Sequence, residues 1–264
     1  MLHKRHINTT IASNSDDIDD LPQPVVSGGQ DLVRGEVLSF HRHRRTQLVY
    51  ASQGVMAVNT RTASYVVPPQ RAVWMPSGVE HRIEARSIVK MRTLYIAPEE
   101  TAEMPAGACV LQISPLLREL IVEAVAAGND YDPGSSLAKI MAVILDQIRT
   151  QTRVPSLALP LPTDPRLMRI VDALIDNPAD ARELGDWANE VGASIRTLVR
   201  LFPAQTGMTF RQWRQQRRLL RALDLLATGS SVTNIALELG YENTSAFIAM
   251  FRRCLGTSPT RYLL

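Results

Sequence analysis

A helical pattern occurs twice in the last hundred residues of this chain, and it restricts the fold of that region more than any other feature. The two copies are "LGDWANEVGASIRTLVRLFPAQTG" and "VTNIALELGYENTSAFIAMFRRCLG". In each copy a short helical segment reaches a glycine, Gly192 or Gly240, and a second helical segment follows. Glycine permits the left-handed turn that such a junction needs. The pattern therefore predicts two helix-turn-helix units, over about 183–206 and 232–255.

Positive charge is concentrated in the same region. The whole chain has a net charge of +3, and residues 1–163 carry equal numbers of basic and acidic side chains. The excess therefore lies in residues 164–264, and residues 195–264 contain ten arginines against three acidic residues. A local excess of this size indicates a polyanionic partner, although charge alone is also compatible with a solvated helical surface.

The chain divides by composition into segments of different character. Short Val- and Ile-rich stretches separated by Gly and Pro, over 28–100, predict an antiparallel β sandwich or barrel. Two stretches with helical spacing follow within 101–153, and the proline-rich residues 154–164 predict an extended linker. The polar, acidic residues 1–27 are expected to be a disordered tail. The predicted fold class is α+β with two domains, the second of them all helical over 165–264.

Composition also limits the class of protein and its compartment. The chain is 45% hydrophobic and 21% charged, and it has no apolar run of the length that a membrane span needs. The N-terminus lacks the apolar core of a secretion signal. The two cysteines, Cys109 and Cys254, lie far apart and suggest no disulfide framework. We expect a globular cytoplasmic protein that does not bind membranes.

The last hundred residues resemble the DNA-binding domain of AraC/XylS-type transcriptional regulators. The most specific part of the resemblance is the closing pattern GY-x(4)-AF-x(3)-F-x(4)-G-x-SP-x-x-Y, from Gly240 to Tyr262. The resemblance implies that a long helix, 209–227, holds the two helix-turn-helix units. It also implies that both recognition helices enter successive major grooves of double-stranded DNA.

The periodicity of the recognition helices selects the residues that face DNA. In the first helix Ile195, Leu198 and Phe202 recur at i, i+3 and i+7 and are expected to face the core. Arg196 and Arg200 then lie on the opposite face, where they bind guanine edges or, alternatively, only phosphates. The expected DNA contacts are Ser194, Arg196, Thr197, Val199 and Arg200 in the first unit, and Asn243, Thr244, Ser245, Ile248 and Arg252 in the second. We expect the second unit mainly to anchor phosphates, and we expect Pro203 to bend the first recognition helix or end it early.

Two motifs in the β-rich segment resemble the sequence motifs of cupin barrels. His41, His43 and Gln47 have the spacing of the first motif, except that cupins usually have a glutamate at the position of Gln47. The stretch "PSGVEH", which ends at His81, resembles the second motif. The resemblance implies a double-stranded β-helix in which these four side chains line one pocket. Trp74 is expected to form part of its wall.

Three imidazoles are a credible ligand set for a divalent metal. The neutral amide of Gln47, however, replaces an anionic ligand. We therefore expect His41, His43, Gln47, Trp74 and His81 to bind a small organic effector without a cofactor. A metal held by the three histidines and a purely structural barrel remain as alternatives.

The predicted function is a sequence-specific transcription regulator controlled by that effector. The rival function is a metal-dependent cupin enzyme with a helical appendage, and the arginine-rich repeat argues against it. Besides DNA and the effector, the expected partners are RNA polymerase and a second copy of the chain. The helices at about 114–150 resemble the segment with which such regulators dimerise. Activation and repression fit the sequence equally well.

Overall fold

A computed structural model describes residues 18–151 and 158–262 of the chain. The chain forms two compact units. These are Met1–Val58 with Val67–Ser156, and Asn59–Val66 with Leu157–Leu264. The two-domain α+β architecture predicted from the sequence is confirmed, with a β-rich N-terminal part and a helical C-terminal part.

Within the described residues, ten strands form two five-stranded sheets. The strands are β1 (Val25–Leu32), β2 (Val37–His41), β3 (Thr46–Gln53), β4 (Met56–Thr60), β5 (Ala63–Val67), β6 (Arg71–Met75), β7 (His81–Ala85), β8 (Val89–Ile96), β9 (Cys109–Gln112) and β10 (Ala158–Pro160). The first sheet has the order β1-β8-β3-β6-β9 and the second the order β10-β5-β4-β7-β2. The pairs β1–β8, β3–β8, β3–β6, β6–β9 and β2–β7 are antiparallel.

Alternation along β3 sends neighbouring side chains to opposite faces of the first sheet. Leu48 and Tyr50 are fully buried and pack with two helices, α1 (Pro115–Ala127) and α2 (Ser136–Thr150). Gln47, which precedes Leu48, lies on the other face and bonds to Thr93. The first sheet therefore has one face covered by helices and a second face that carries the polar side chain of Gln47.

The disordered tail predicted over residues 1–27 is wrong at its C-terminal end. Strand β1 begins at Val25 and pairs with β8 along its whole length. Ile18 is buried and packs with Val26 and Tyr95. A few apolar residues attach this segment to the sheet. The prediction of disorder rested on the polar composition of the whole tail and did not weigh these residues individually. The first seventeen residues lie outside the described part of the chain.

Seven helices make up most of the second unit within the described residues. They are α3 (Pro165–Asp176), α4 (Leu184–Glu190), α5 (Ile195–Thr206), α6 (Phe210–Ala227), α7 (Val232–Glu238), α8 (Thr244–Leu255) and α9 (Pro259–Tyr262). Trp187 and Trp213 are both fully buried at its centre. Among the described residues, none of the helices combines the length and apolar character that crossing a membrane requires.

Pro203 neither ends α5 nor shortens it. The helix continues to Thr206, where Gly207 adopts a left-handed conformation and donates its N–H to the carbonyl of Pro203. Proline removes only one backbone hydrogen bond, and Phe202 and Thr206 on either side are buried. Packing of these neighbours holds the last turn, so the expected early end does not occur.

The predicted linker over 154–164 contains a short strand. Residues Ala158–Pro160 form β10 and pair with Ala63–Tyr65 of β5. The indole N–H of Trp213 donates to the carbonyl of Pro160 (2.8 Å). The extended conformation agrees with the prediction for these residues, and residues 152–157 lie outside the described part of the chain.

Candidate DNA interface and effector pocket

Each helix-turn-helix unit turns at a glycine with positive φ. Gly192, between α4 and α5, has φ of 67°, and Gly240, between α7 and α8, has φ of 71°. A Cβ atom at Gly240 would also lie 3.0 Å from the carbonyl oxygen of Ala179. The positive φ therefore favours glycine at this position, and a Cβ atom would in addition crowd Ala179.

The same backbone hydrogen bond closes the turn in both units. The N–H of Ala193 donates to the carbonyl of Ala188 (2.9 Å) in the first unit. The N–H of Tyr241 donates to the carbonyl of Ala236 (2.9 Å) in the second. The repeat in the sequence is thus a repeat in three dimensions, down to the atoms that hold the turn.

The first recognition helix, α5, presents a basic surface to solvent. Ser194 caps it, since its Oγ accepts a hydrogen bond from the N–H of Thr197 (3.1 Å). Arg196 and Arg200 are exposed. Neither guanidinium group makes a hydrogen bond or ion pair with another described residue. Val199 is 56% exposed on the same helix. The predicted side chains of this helix are therefore available to a partner, with Thr197 half-buried.

Ile195 does not lie in the core, contrary to the prediction. Its side chain is 54% exposed, whereas Leu198 and Phe202 are fully buried. Ile195 is the first residue of α5, and the contact of this helix with the core begins one turn later. Together with Val199 at i+4, Ile195 adds an apolar strip to the basic surface.

The second recognition helix, α8, offers less to a partner. The side chain of Asn243 caps the helix by accepting from the N–H of Ala246 (2.8 Å). Thr244 and Ile248 are half-buried, and Ser245 and Arg252 are exposed. Short hydroxyl groups and the two arginines of the last turn, Arg252 and Arg253, suit phosphate binding better than base recognition.

Most arginines of α6 are held by the protein itself. Arg214 donates to the carbonyl of Arg182 (2.9 Å), Arg217 to that of Ile175 (2.6 Å) and Arg218 to that of Pro178 (2.8 Å). Arg221 forms an ion pair with Glu238 (2.7 Å), itself exposed. The arginines counted in the sequence are therefore of two kinds. Some connect helices within the protein, and others are available to bind a partner such as DNA. The sequence offers no signal for the carbonyl partners, which lie 32 to 42 residues away.

Three imidazoles meet beside the second sheet. The pairing of β2 with β7 places His41 opposite His81, and their ring centroids lie 4.5 Å apart. The ring of His43 lies 5.0 Å from that of His41 and 5.9 Å from that of His81. One ring nitrogen from each histidine lies within 4.8 Å of the other two. The structure therefore brings together the three histidines that the motif spacing selected.

Gln47 completes this cluster from β3. One end of its side-chain amide lies 2.8 Å from Nε2 of His81, and the other end donates to the hydroxyls of Thr93 (3.0 Å) and Tyr95 (3.2 Å). We call the four residues His41, His43, Gln47 and His81 the histidine pocket. The ring of Tyr95 also packs edge-on against His43 at 4.8 Å, a contact that the motif spacing did not indicate.

Burial keeps two of the histidines uncharged. Desolvation and the neighbouring His41 lower the pKa of His43 to about 4, and burial lowers the pKa of His81 to about 4. Nδ1 of His81 lies 3.0 Å from the carbonyl oxygen of Val79. Both ring nitrogens of His43 are buried and have no hydrogen-bond partner among the described residues. An uncharged, unpartnered imidazole of this kind can bind a polar ligand by donating one hydrogen bond and accepting another.

Trp74 does not belong to the histidine pocket, contrary to the prediction. It lies opposite Leu48 in the β3–β6 pairing, so its side chain shares the helix-covered face of the sheet. There it packs with residues of α1 and α2, and its indole N–H donates to the carbonyl of Pro105 (3.0 Å). The register of β6 on β3 decides this placement. That register was not evident in the sequence.

The donor set of the pocket also bears on metal binding. His41, His43 and His81 are the side chains that could hold a divalent metal favoured by nitrogen ligands. Gln47 contributes no negative charge, and its amide already contacts Nε2 of His81. The pocket thus offers three imidazoles and no carboxylate among its four residues, so a metal bound there would have no anionic ligand from these side chains.

Comparison with known proteins gives matches over both parts of the chain. Residues 30–183 match the model of the AraC-like ligand binding domain, and residues 187–264 match that of a helix-turn-helix domain. The chain is 37% identical over 223 residues to the HTH-type transcriptional regulator NimR of Escherichia coli, covering 84% of this chain and 81% of that protein. It is also 37% identical over 110 residues to the regulator RipA of Corynebacterium glutamicum, covering 42% of this chain and 33% of RipA. Among solved structures, ToxT of Vibrio cholerae matches with a TM-score of 0.39 and 11% identity, over 91% of this chain and 97% of that one.

Proposed function

Because this chain belongs to the AraC family of DNA-binding transcription regulators with an N-terminal ligand-binding domain, we propose that it regulates transcription in response to a small organic molecule bound in the histidine pocket. The single observation that carries this proposal is the exposed, unpaired pair Arg196 and Arg200 on a capped recognition helix. Four of the five α6 arginines bind groups of the protein itself, whereas the side chains of these two have no partner among the described residues.

The DNA contacts follow from exposure and chemistry. We assign base recognition to Arg196 and Arg200, which can bind guanine edges through two hydrogen bonds, and to Val199, whose apolar side chain suits a thymine methyl. Thr197 and the N-terminal turn beginning at Ser194 bind phosphate. In the second unit Asn243, Thr244, Ser245, Ile248 and Arg252 hold the backbone of the adjacent groove.

The effector is a polar, uncharged molecule in this proposal. Unpartnered His43 supplies one donor and one acceptor, and His41 supplies another imidazole at the half-buried edge of the pocket. The effector shifts a population between two arrangements of the protein, which requires different affinities for the two.

The protein acts as a homodimer in the cytoplasm, where its DNA target lies. Leu116 on α1 and Val143 on α2 are exposed apolar side chains on the two helices that we assign to dimerisation. RNA polymerase is the further partner, because a regulator bound beside a promoter acts through the transcription machinery. We also propose that the protein catalyses no reaction, in keeping with the regulators that it matches.

DNA binding measured across a range of salt concentrations tests the proposed function. The full-length protein should bind DNA from its own upstream region with an affinity that falls steeply as salt rises, because phosphate contacts release counterions. Arg196→Ala and Arg200→Ala should each weaken specific binding about tenfold or more. Arg34→Ala, an exposed arginine of the first unit, is the charge-matched control and should bind as the wild type does.

Two outcomes would contradict the proposal. An affinity that does not change with salt would exclude a phosphate-anchored DNA-binding domain. A metal content near one equivalent per chain that is lost in His43→Ala would replace the organic effector with a bound metal and restore the cupin-enzyme alternative to consideration.

A further inference from the structure

A cleft of about 430 Å³ lies in the first unit beside the start of β1. One wall is a single face of α2, formed by Ala138, Met141, Ala142, Leu145 and Arg149 at helical spacing. The opposite wall is the segment 22–25, where the chain enters the sheet. This volume lies within the usual range for small-molecule sites, about 300–1,000 Å³.

The cleft is separate from the histidine pocket. Val25 at its floor packs with Trp74, α1 and α2 on the helix-covered face of the first sheet. The next residue, Val26, packs with Tyr95 on the other face, and Tyr95 contacts His43. Alternation along β1 therefore divides the two sites.

The walls of the cleft suit an aromatic ring. Pro22, Pro24 and Pro133 contribute rigid apolar surfaces, and Met141 is 2% exposed at the base. Tyr131 adds an aromatic side chain. Thioether sulfur and aromatic side chains both interact favourably with a bound ring.

The polar groups of the cleft select against a charged ligand. Arg149 and Glu100 at one end neutralise each other through an ion pair of 3.0 Å. Burial raises the pKa of Tyr131, which stays protonated and donates to the carbonyl of Val25 (2.7 Å). The side-chain oxygen Oε1 of Gln23 is buried and has no partner among the described residues. A ligand that donates one hydrogen bond would satisfy it.

We propose that this cleft is a second small-molecule site, which binds an uncharged aromatic molecule whose N–H donates to Oε1 of Gln23. A molecule held there contacts β1 and α2 together, so it would stabilise the first unit. The site goes beyond the proposed function, since neither DNA binding nor the histidine pocket enters the argument.

Indole and indene are the probes that test the proposal. They have nearly the same shape, but only indole has an N–H donor. Isothermal titration calorimetry on the full-length chain should show saturable binding of indole, and indene should bind about tenfold more weakly because Gln23 stays unsatisfied. Gln23→Leu should reduce this preference to less than about twofold.

A matched pair of variants places the binding site. Ala142 is exposed on the rim of the cleft, so Ala142→Phe fills the space without disturbing the core and should abolish indole binding. Val33 is 67% exposed in the first unit, lies outside α1 and α2, and does not line the cleft. Val33→Phe should bind indole as the wild type does, and His43→Ala should do so too.

Each of four results would overturn the proposal. These are no saturable indole binding by the wild type, equal affinities for indole and indene, loss of indole binding in His43→Ala, or equal loss in Ala142→Phe and Val33→Phe. Light scattering adds a further check. If Ala142→Phe lowers the molar mass in solution, a second copy of the chain covers the cleft and the proposal is wrong.

Discussion

The side-chain amide of Gln47 lies 2.8 Å from Nε2 of His81, at the atom with which that imidazole would otherwise bind a metal. The neutral side-chain amide of Gln47 thus lies directly beside the cluster of three histidines. The relationship makes a single substitution informative, because glutamate at this position would add the negative charge that the cluster lacks.

Gln47→Glu should raise the affinity of the protein for Zn²⁺ or Ni²⁺ by at least about tenfold. The carboxylate supplies an anionic oxygen ligand beside three imidazole nitrogens. Competition with a chromophoric chelator measures the affinity. Gln53→Glu, at an exposed position of the same strand, is the control. Equal metal affinities of the wild type and Gln47→Glu would show that the amide does not limit binding.

The stability of the protein should fall as the solution is acidified from about pH 6.5 to about pH 4. The pKa values of His43 and His81 are lowered from 6.5 to about 4 in the folded state. The unfolded chain therefore binds more protons in this interval, and the free energy of unfolding rises with pH until both groups are neutral in either state. Urea unfolding at several pH values between about 4 and about 7.5 measures the slope.

His43→Asn should flatten that pH dependence, because one of the two buried imidazoles is then absent. His3→Asn, in the N-terminal segment outside the described residues, serves as the control for loss of a histidine. A slope that His43→Asn leaves unchanged would mean that other groups, such as carboxylates, govern the acid response.

Ile195 and Val199 should recognise thymine methyl groups in the major groove. Both side chains are more than half exposed on α5, one helical turn apart and next to Arg196 and Arg200. Replacing thymine with uracil in the bound site, which removes only the methyl group, should weaken binding by the wild type several-fold. Fluorescence anisotropy at a fixed salt concentration measures the loss.

The double variant Ile195→Ala with Val199→Ala should no longer distinguish thymine from uracil. Val33→Ala, at an exposed valine of the first unit, should retain the full discrimination. If the wild type binds both DNAs equally, the apolar strip on α5 has no role in recognition, and the arginines alone would then carry the specificity of this helix.

Arg218→Ala should affect stability more than DNA binding. Its guanidinium donates to the carbonyl of Pro178 and is partly buried, so its loss removes a hydrogen bond from a charged donor, at a cost of about 1.5–3 kcal/mol. Thermal unfolding should show this loss, whereas Arg200→Ala should change stability by less than about 0.5 kcal/mol. At a temperature where both variants are fully folded, only Arg200→Ala should bind DNA weakly. A loss of stability in Arg200→Ala together with a loss of DNA binding in Arg218→Ala would contradict this prediction.

Local patterns made the helical part of the fold predictable. Gly192 and Gly240 mark turns whose geometry depends on a few neighbouring residues, so the repeat identified both units and their recognition helices. The resemblance to the cupin motifs selected His41, His43, Gln47 and His81, although His41 ends β2 of the second sheet and Gln47 lies on β3 of the first.

Long-range pairing decided the features that the sequence did not reveal. Trp74 joins the helix-covered face because Leu48 lies opposite it in the sheet. Arg217 and Arg218 bind carbonyls of α3 and the turn after it, at Ile175 and Pro178. Neither partner is recognisable as such from the sequence around it, since every residue has a carbonyl group.

The hydrogen bond from Ala193 to Ala188 uses backbone atoms only. The turn of the first unit therefore does not depend on which side chains the exposed face of α5 carries. In the proposed interface, substitutions at Arg196, Val199 or Arg200 would alter the preferred operator while the architecture persists. A duplicated gene of this kind can acquire a new set of promoters through a few surface changes, without first passing through an unstable protein.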